Sequence, residues 1–208
     1  MKLTALWVAF ISITSGAFAQ RPANNEHMKE ALIIIDIQQD YFPGGRHTLV
    51  GAEEAAEKAK QVLAHFRKAG RPVVHVQHIS TNEGATFFLP GTDGIAIHAA
   101  VMPENGEKII TKHFPNSFRE TDLLEHLKAN GIDRLTFAGM MTHVCIDATV
   151  KAAKDFGFEC TVVSDACATL DVEVQGKKVP AAWVQQSLLG ALEFFYANIK
   201  TATEVVTQ

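Results

Sequence analysis

Arg134-Leu135-Thr136-Phe137-Ala138-Gly139-Met140-Met141-Thr142-His143-Val144-Cys145-Ile146 is a β-type run that turns, within a few residues, into the helical spacing of 147–156. That places Cys145 in the first turn of a helix rising off a strand. A thiol there sits among backbone N–H groups without intrahelical acceptors, at the positive end of the helix dipole. Both effects favour thiolate, the form of cysteine that attacks carbon. The alternative is a packing role, because free cysteine is among the most buried residue types and behaves as a small hydrophobe.

Outward from this stretch one arrangement recurs: a helical pattern, a glycine, then a β-rich run. It occurs at 52–69/Gly70/72–78, at 118–130/Gly131/134–138 and at 146–156/Gly157/159–164. Ser117-Phe118-Arg119-Glu120 has the Ser-x-x-Glu form of a capping box and predicts the start of the middle helix. Residues 31–35 and 108–111 read as further strands, 203–206 as a last short one, and Val179–Leu189 as the start of the last helix. The strands are rich in Val and Ile without clean alternation, as when both faces are covered. Strands alternating with helices predict an α/β fold: a three-layer α/β/α domain on a mostly parallel, Rossmann-like sheet.

The N-terminus reads as a secretory signal peptide over 1–19. Met1-Lys2 precedes an apolar run, Leu3 to Ile13, and an Ala17-Phe18-Ala19 cleavage site. The run is short of the roughly 20 apolar residues of a membrane span; an uncleaved anchor is the alternative. Cleavage near Ala19 predicts an exported protein, periplasmic or secreted, with a polar leader over 20–29 and one domain over 30–208. Nineteen Lys and Arg against 23 Asp and Glu leave a net charge of −4. With no basic cluster, nucleic acid and, after signal cleavage, membrane are poor partners. Of the three cysteines, Cys160 and Cys167 would lie roughly 20 Å apart on an extended strand, too far for a disulfide. The expectation is a free Cys145.

Asp36 ends the run Ala31-Leu32-Ile33-Ile34-Ile35, Lys112 ends Lys108-Ile109-Ile110-Thr111, and Cys145 follows a third strand. Ligands of open parallel sheets bind beyond the carboxyl ends of the strands, so all three fall on the edge where such sheets keep active sites. A buried acid beside a cysteine can take its proton, and a lysine can hold both anions. Singly, a strand-end Asp is a turn residue and a strand-end Lys a solvated one; their coincidence carries the reading. The long segment 81–106, with Phe87-Phe88-Leu89, reads either as a loop covering the site or as one packed on the domain edge.

These blocks resemble the isochorismatase-like hydrolases, the superfamily that includes nicotinamidases and other amide-cleaving cysteine hydrolases. The resemblance rests on Ile33-Ile34-Ile35-Asp36-Ile37-Gln38 with Asp40-Tyr41-Phe42, Lys112 to Phe118, Gly139 to Cys145, and Val163 to Thr169, in the family's order. The last three blocks most resemble streptothricin-hydrolase-like members. The resemblance implies a triad of Asp36, Lys112 and Cys145, a non-proline cis peptide at Met140–Met141, and an oxyanion site made by the backbone N–H groups of Met141 and Cys145. It implies thioester chemistry on a C–N bond, amide or lactam, of a small-molecule substrate, and a homo-oligomer; the apolar helix beginning near Val179 could contribute to its interface.

The departures matter as well. The Asp-x-His pair of the nicotinamidase metal site is absent, since no Asp stands two residues before His47. The expectation is therefore no metal and no cofactor, which weakens nicotinamide as substrate. His75 and His78, an odd number apart, point to opposite faces of a strand, so one of them could face the site; a satisfied structural histidine is the simpler reading. Phe42, Phe114, Phe118, His143 and Trp183 are candidate substrate-binding residues. The other readings are an ether hydrolase of the isochorismatase type and a secreted non-catalytic interaction protein on the same fold.

Overall fold

The run Ala31-Leu32-Ile33-Ile34-Ile35 has no polar side, so it must be covered on both faces, and it forms the centre of the sheet. The computed structural model describes residues 29–207; the expected signal peptide and all but the last residue of the polar leader lie outside them. The strands β1 (Lys29–Ile35), β2 (Val73–His78), β3 (Lys108–Lys112), β4 (Ile132–Met140), β5 (Glu159–Ala168) and β8 (Asn198–Lys200) form one sheet in the order β3-β2-β1-β4-β5-β8. Every pairing in it is parallel. A hairpin, β6 (Val172–Val174) with β7 (Lys177–Val179), stands apart.

Helices fill both faces. Leu32 and Ile34 of β1 pack with Ala59, Val62, Leu63 and Phe66 of α1 (Ala52–Lys68) and with α5 (Ala202–Val206). Ala31, Ile33 and Ile35 face the other core, with α2 (Leu123–Ala129), α3 (Asp147–Asp155) and Leu192 of α4 (Ala181–Phe195). Each buried Val, Leu, Ile or Phe among them contributes about 1.5–3 kcal/mol. This is the three-layer α/β/α arrangement that the alternation of elements predicts.

Two local expectations are corrected. The middle helix begins at Leu123, not near Phe118. Glu120 has φ 55°, which ends any helix there, and the Ser117 hydroxyl pairs with Thr149 Oγ1 at 2.9 Å instead of capping. The expected last strand, 203–206, is the helix α5: Thr201 Oγ1 accepts from the Glu204 N–H, and Glu204 accepts from the Thr201 N–H, the reciprocal pair of a capping box. The sixth strand of the sheet is Asn198–Lys200.

Segment 81–106 packs over the carboxyl edge of the sheet. The Gln39 N–H donates to Ala96 O and the His98 N–H to Ile37 O, while Gln38 Nε2 donates to both Ile95 O and His78 O. The Phe88 N–H donates to Asp40 Oδ2, and Phe88 is fully buried. Its far end is clamped: Glu107 accepts from Arg67 Nε and Nη2, both at 2.8 Å, and meets His75 Nε2 at 2.8 Å.

Candidate active site

The order of the sheet reverses between β1 and β4, which opens a crevice where their chains diverge. Asp36 leaves β1 with φ 52°, its N–H donating to Val76 O and its carbonyl accepting from the Gln38 N–H. Asp tolerates this left-handed geometry better than most residues, and the turn points its carboxylate into the crevice. Opposite, β4 runs to Met140 and the Met140–Met141 peptide is cis. Residues Thr142–Ile146 then form a π-helical turn in which Met141 O accepts from both the Val144 and the Ile146 N–H. Such turns recur at functional sites. Cys145 therefore precedes α3 instead of belonging to its first turn.

Lys112, the last residue of β3, reaches in from the side. Its ammonium lies 2.7 Å from Asp36 Oδ2 and donates to Phe114 O and Pro115 O, each at 3.2 Å. The ammonium also lies 3.3 Å from His78 Nδ1, on the residue paired with Lys112 in register. Asp36, His78 and Cys145 bring a carboxylate oxygen, a ring nitrogen and the thiol within 4.8 Å of one another. Asp36 and Lys112 are fully buried and Cys145 nearly so. Beyond the lysine ammonium and the thiol, no described group hydrogen-bonds the Asp36 oxygens.

The electrostatics reverse one expectation. Burial raises the Cys145 thiol far above its ordinary value; the Asp36 charge raises it further and Lys112 only partly opposes this. In the closed site the resting cysteine is a protonated thiol beside a proton acceptor. Burial disfavours the Lys112 ammonium, but Asp36 and Cys145 outweigh it, so its pKa is raised. Burial takes the His78 imidazole down to about 4, with Lys112 adding to the effect against the pull of Asp36, so it is neutral and its Nδ1 can accept from the ammonium.

An aromatic chain covers these groups. His78 lies 5.7 Å from the Phe88 ring, Phe88 lies 4.6 Å from Tyr41, and Tyr41 lies 5.8 Å from Phe87, on which His47 stacks at 4.3 Å. Burial raises the Tyr41 phenol well above its ordinary value, and Cys145, Asp36 and Asp40 all add to it. His143 stands at the rim with Nδ1 2.5 Å from the Thr169 hydroxyl, and burial and the neighbouring His47 lower its pKa against the pull of Asp147.

The other expected pocket residues are elsewhere. Phe42 is stacked on His98 at 3.8 Å inside the α1-side core. Phe114 contributes its carbonyl to Lys112, while its ring lies under the Arg119 guanidinium. Phe118 packs on Phe156 and Phe158, at the end of α3 away from Cys145. Trp183 is 70 % exposed on α4. Conversely, His78 and Tyr41 belong to the site. His78 carried a usable signal, a polar residue closing a strand at the same edge as Asp36 and Lys112. His75 faces away, toward Glu107.

The cluster of Asp36, His78 and Cys145 does not suit a metal ion. A cation there would meet the Lys112 ammonium, already 2.7 Å from the same carboxylate.

Comparison with known proteins agrees with this architecture. The isochorismatase domain model matches residues 30–179. The chain is 48% identical over 174 residues to the isochorismatase family protein YddQ of Bacillus subtilis, covering 84% of this chain and 97% of that protein. It is similar to maleamate amidohydrolase of Pseudomonas putida, 32% identical over 66% of this chain and 71% of the other. It is also similar to streptothricin hydrolase of Streptomyces noursei, 30% identical over 78% of this chain and 59% of the other. A solved isochorismatase hydrolase structure from Oleispira antarctica superposes with TM-score 0.83 at 50% identity, covering 86% of this chain and 97% of that one. With the crevice, the cis peptide and the domain match in agreement, the chain belongs to the isochorismatase family and is a hydrolase.

Proposed function

We propose that this hydrolase cleaves the C–N bond of a small amide or lactam through a thioester on Cys145. The observation that carries the reading is a protonated thiol sealed against a carboxylate that has one cationic partner. Asp36 takes the thiol proton as sulfur attacks the carbonyl carbon, and the carbonyl electron pair moves to oxygen. The N–H groups of Met141 and Cys145 hold that oxyanion. Protonated Asp36 then gives its proton to the departing nitrogen as the C–N bond breaks. Water, deprotonated by Asp36, attacks the thioester; the acid leaves and the thiol is restored. Lys112 remains a cation throughout and offsets the negative charge that passes between Asp36, sulfur and oxygen.

His143, the rim imidazole nearest the nucleophile in sequence, would contact substrate; the similarity to maleamate amidohydrolase supports an amide as the substrate class. The signal-like N-terminus supports export, which N-terminal sequencing of the processed protein tests.

The experiment is ammonia or amine release from a panel of primary amides and lactams, with mass spectrometry of the quenched enzyme. A hydrolysed substrate should leave an acyl adduct on Cys145. Cys145→Ala should abolish turnover, and Asp36→Asn should lower kcat by about 10²–10⁴. Turnover that survives Cys145→Ala would overturn the thioester route in favour of acid-catalysed ether cleavage.

A further inference from the structure

We infer that Thr149 is a positioning residue for the Asp36–Lys112–Cys145 cluster: its hydroxyl, on the helix that continues from Cys145, holds the turn whose carbonyls seat the Lys112 ammonium. Its kinetic consequence rests on the amide-hydrolase reading above; the placement of the three groups does not. The ammonium brings three protons to Asp36 Oδ2 at 2.7 Å, His78 Nδ1 at 3.3 Å and the carbonyls of Phe114 and Pro115, each at 3.2 Å. Asp36 follows β1 and His78 ends β2, so the sheet fixes both. Phe114 and Pro115 lie in neither helix nor strand, and their hold must come from side chains. Thr149 supplies it. Its Oγ1 accepts from the Ser117 N–H at 3.0 Å and donates to Pro115 O at 3.4 Å. That leaves the Ser117 hydroxyl, 2.9 Å away, as its second donor, so the threonine oxygen gives its one proton and fills both lone pairs. Pro115 O thus accepts from the Lys112 ammonium and from Thr149 together.

Two features separate this from packing. Thr149 stands four residues after Cys145, in the first turn of α3. A helical threonine commonly turns its hydroxyl back to the carbonyl four residues earlier, here that of Cys145. Thr149 instead directs it across the fold, to the turn beside Lys112. Moreover, Ser117 and Thr149 are fully buried, and their neighbours in sequence, Phe118, Ile146 and Val150, belong to the apolar core. Replacing both members of a buried hydrogen-bonded pair by apolar groups of the same shape is nearly neutral or stabilising, so folding alone gives no reason for two hydroxyls there. The bonds close a circuit instead: Cys145 leads into α3, Thr149 ties α3 to Pro115, Pro115 seats the ammonium, and the ammonium meets Asp36. Lys112 is also the group that opposes the rise in the Cys145 pKa caused by burial and Asp36. Its distance from sulfur therefore sets how readily the thiol gives up its proton.

The test compares three variants of the full chain. Thr149→Val keeps the shape and loses the hydroxyl, Thr149→Ser keeps the hydroxyl and loses the methyl, and Thr149→Ala loses both. The first readout needs no substrate: iodoacetamide labelling of Cys145 at one fixed pH, with Cys160 as internal reference. A displaced ammonium favours the thiolate less, so Thr149→Val and Thr149→Ala should label Cys145 several-fold more slowly than the wild type, and Thr149→Ser at the wild-type rate. Loosened packing moves labelling the other way, because a freer site admits the reagent more often. The second readout is hydrolysis of an amide that the wild type cleaves. The two variants without a hydroxyl should lower kcat at least about tenfold with KM changed less than about twofold, and serine should restore kcat. Cys145 labelling as fast as wild type in whichever hydroxyl-free variants fold overturns the inference, and so does a serine variant as slow as alanine. A wild type that cleaves no amide in the panel counts against the hydrolase reading alone, and the labelling order then decides the role of Thr149.

Discussion

Lys112 holds three protons and stands among four acceptors: Asp36 Oδ2, His78 Nδ1 and the carbonyls of Phe114 and Pro115. Removing its charge would strand the Asp36 carboxylate in a fully buried place. Lys112→Met should therefore lose about 3–5 kcal/mol in urea unfolding, as when one partner of a buried pair is deleted. His78 makes a second prediction. It is neutral in the fold and titrates at about 4, against 6.5 unperturbed. Between those values the unfolded chain binds the extra proton, so stability is complete above pH 6.5 and falls as the pH drops toward 4. The group's share is about 3 kcal/mol. His78→Gln, which keeps an acceptor for Lys112, should flatten the dependence of Tm on pH across that window. At this scale the meeting of Asp36, Lys112 and Cys145 was legible because three chemically unlike groups each stood at the end of a strand. The state of the thiol was not: a helix start implies thiolate, and burial by distant residues, with the Asp36 charge beside it, reverses that.

Among the elements, the junction of β1 and β4 has the least tolerance. Gly139 pairs with Ile35 at φ 144°, and a Cβ there would fall on the Ile35 carbonyl oxygen. Gly139→Ala must push the two strands apart where Asp36 and the Met141 turn diverge. Amide hydrolysis should fall by more than about tenfold while circular dichroism keeps its helix and strand content. Gly157→Ala has open space but a φ of 93°, so it should cost stability, by backbone strain far from the site, and leave hydrolysis unchanged. The elements were readable where local and global preferences agree, as in β1 and α1. They were misread where a local motif had two uses. Ser117-x-x-Glu120 resembles a cap, but its serine bonds Thr149 from α3. Thr203–Val206 has strand-forming residues, but Thr201 and Glu204 cap them into a helix.

For the molecule as a whole, helix–glycine–strand repetition was enough to give the parallel sheet and its covered faces. The surface was harder to read, because the exposure of Trp183 and Phe194 depends on how few of α4's neighbours reach it. Among the described residues no helix is long and apolar enough to cross a membrane. The cover closes Asp36, Lys112 and Cys145 to solvent. Segment 81–106 is held at one end by the Phe88–Asp40 bond. At the other it is held by Glu107, whose carboxyl burial would raise but which Arg67, the Glu104 amide and His75 draw down to about 2.

Sealing also turns Cys145 into a clock. A reagent such as iodoacetamide can alkylate Cys145 only during an excursion of the cover, so its rate is the opening equilibrium multiplied by the reactivity of the unsealed thiol. Glu107→Gln should speed labelling of Cys145 and leave Cys160, buried under α3, at its former rate; equal acceleration of both would instead report global loosening. Read in this way, one sulfur atom reports how often the enzyme breathes.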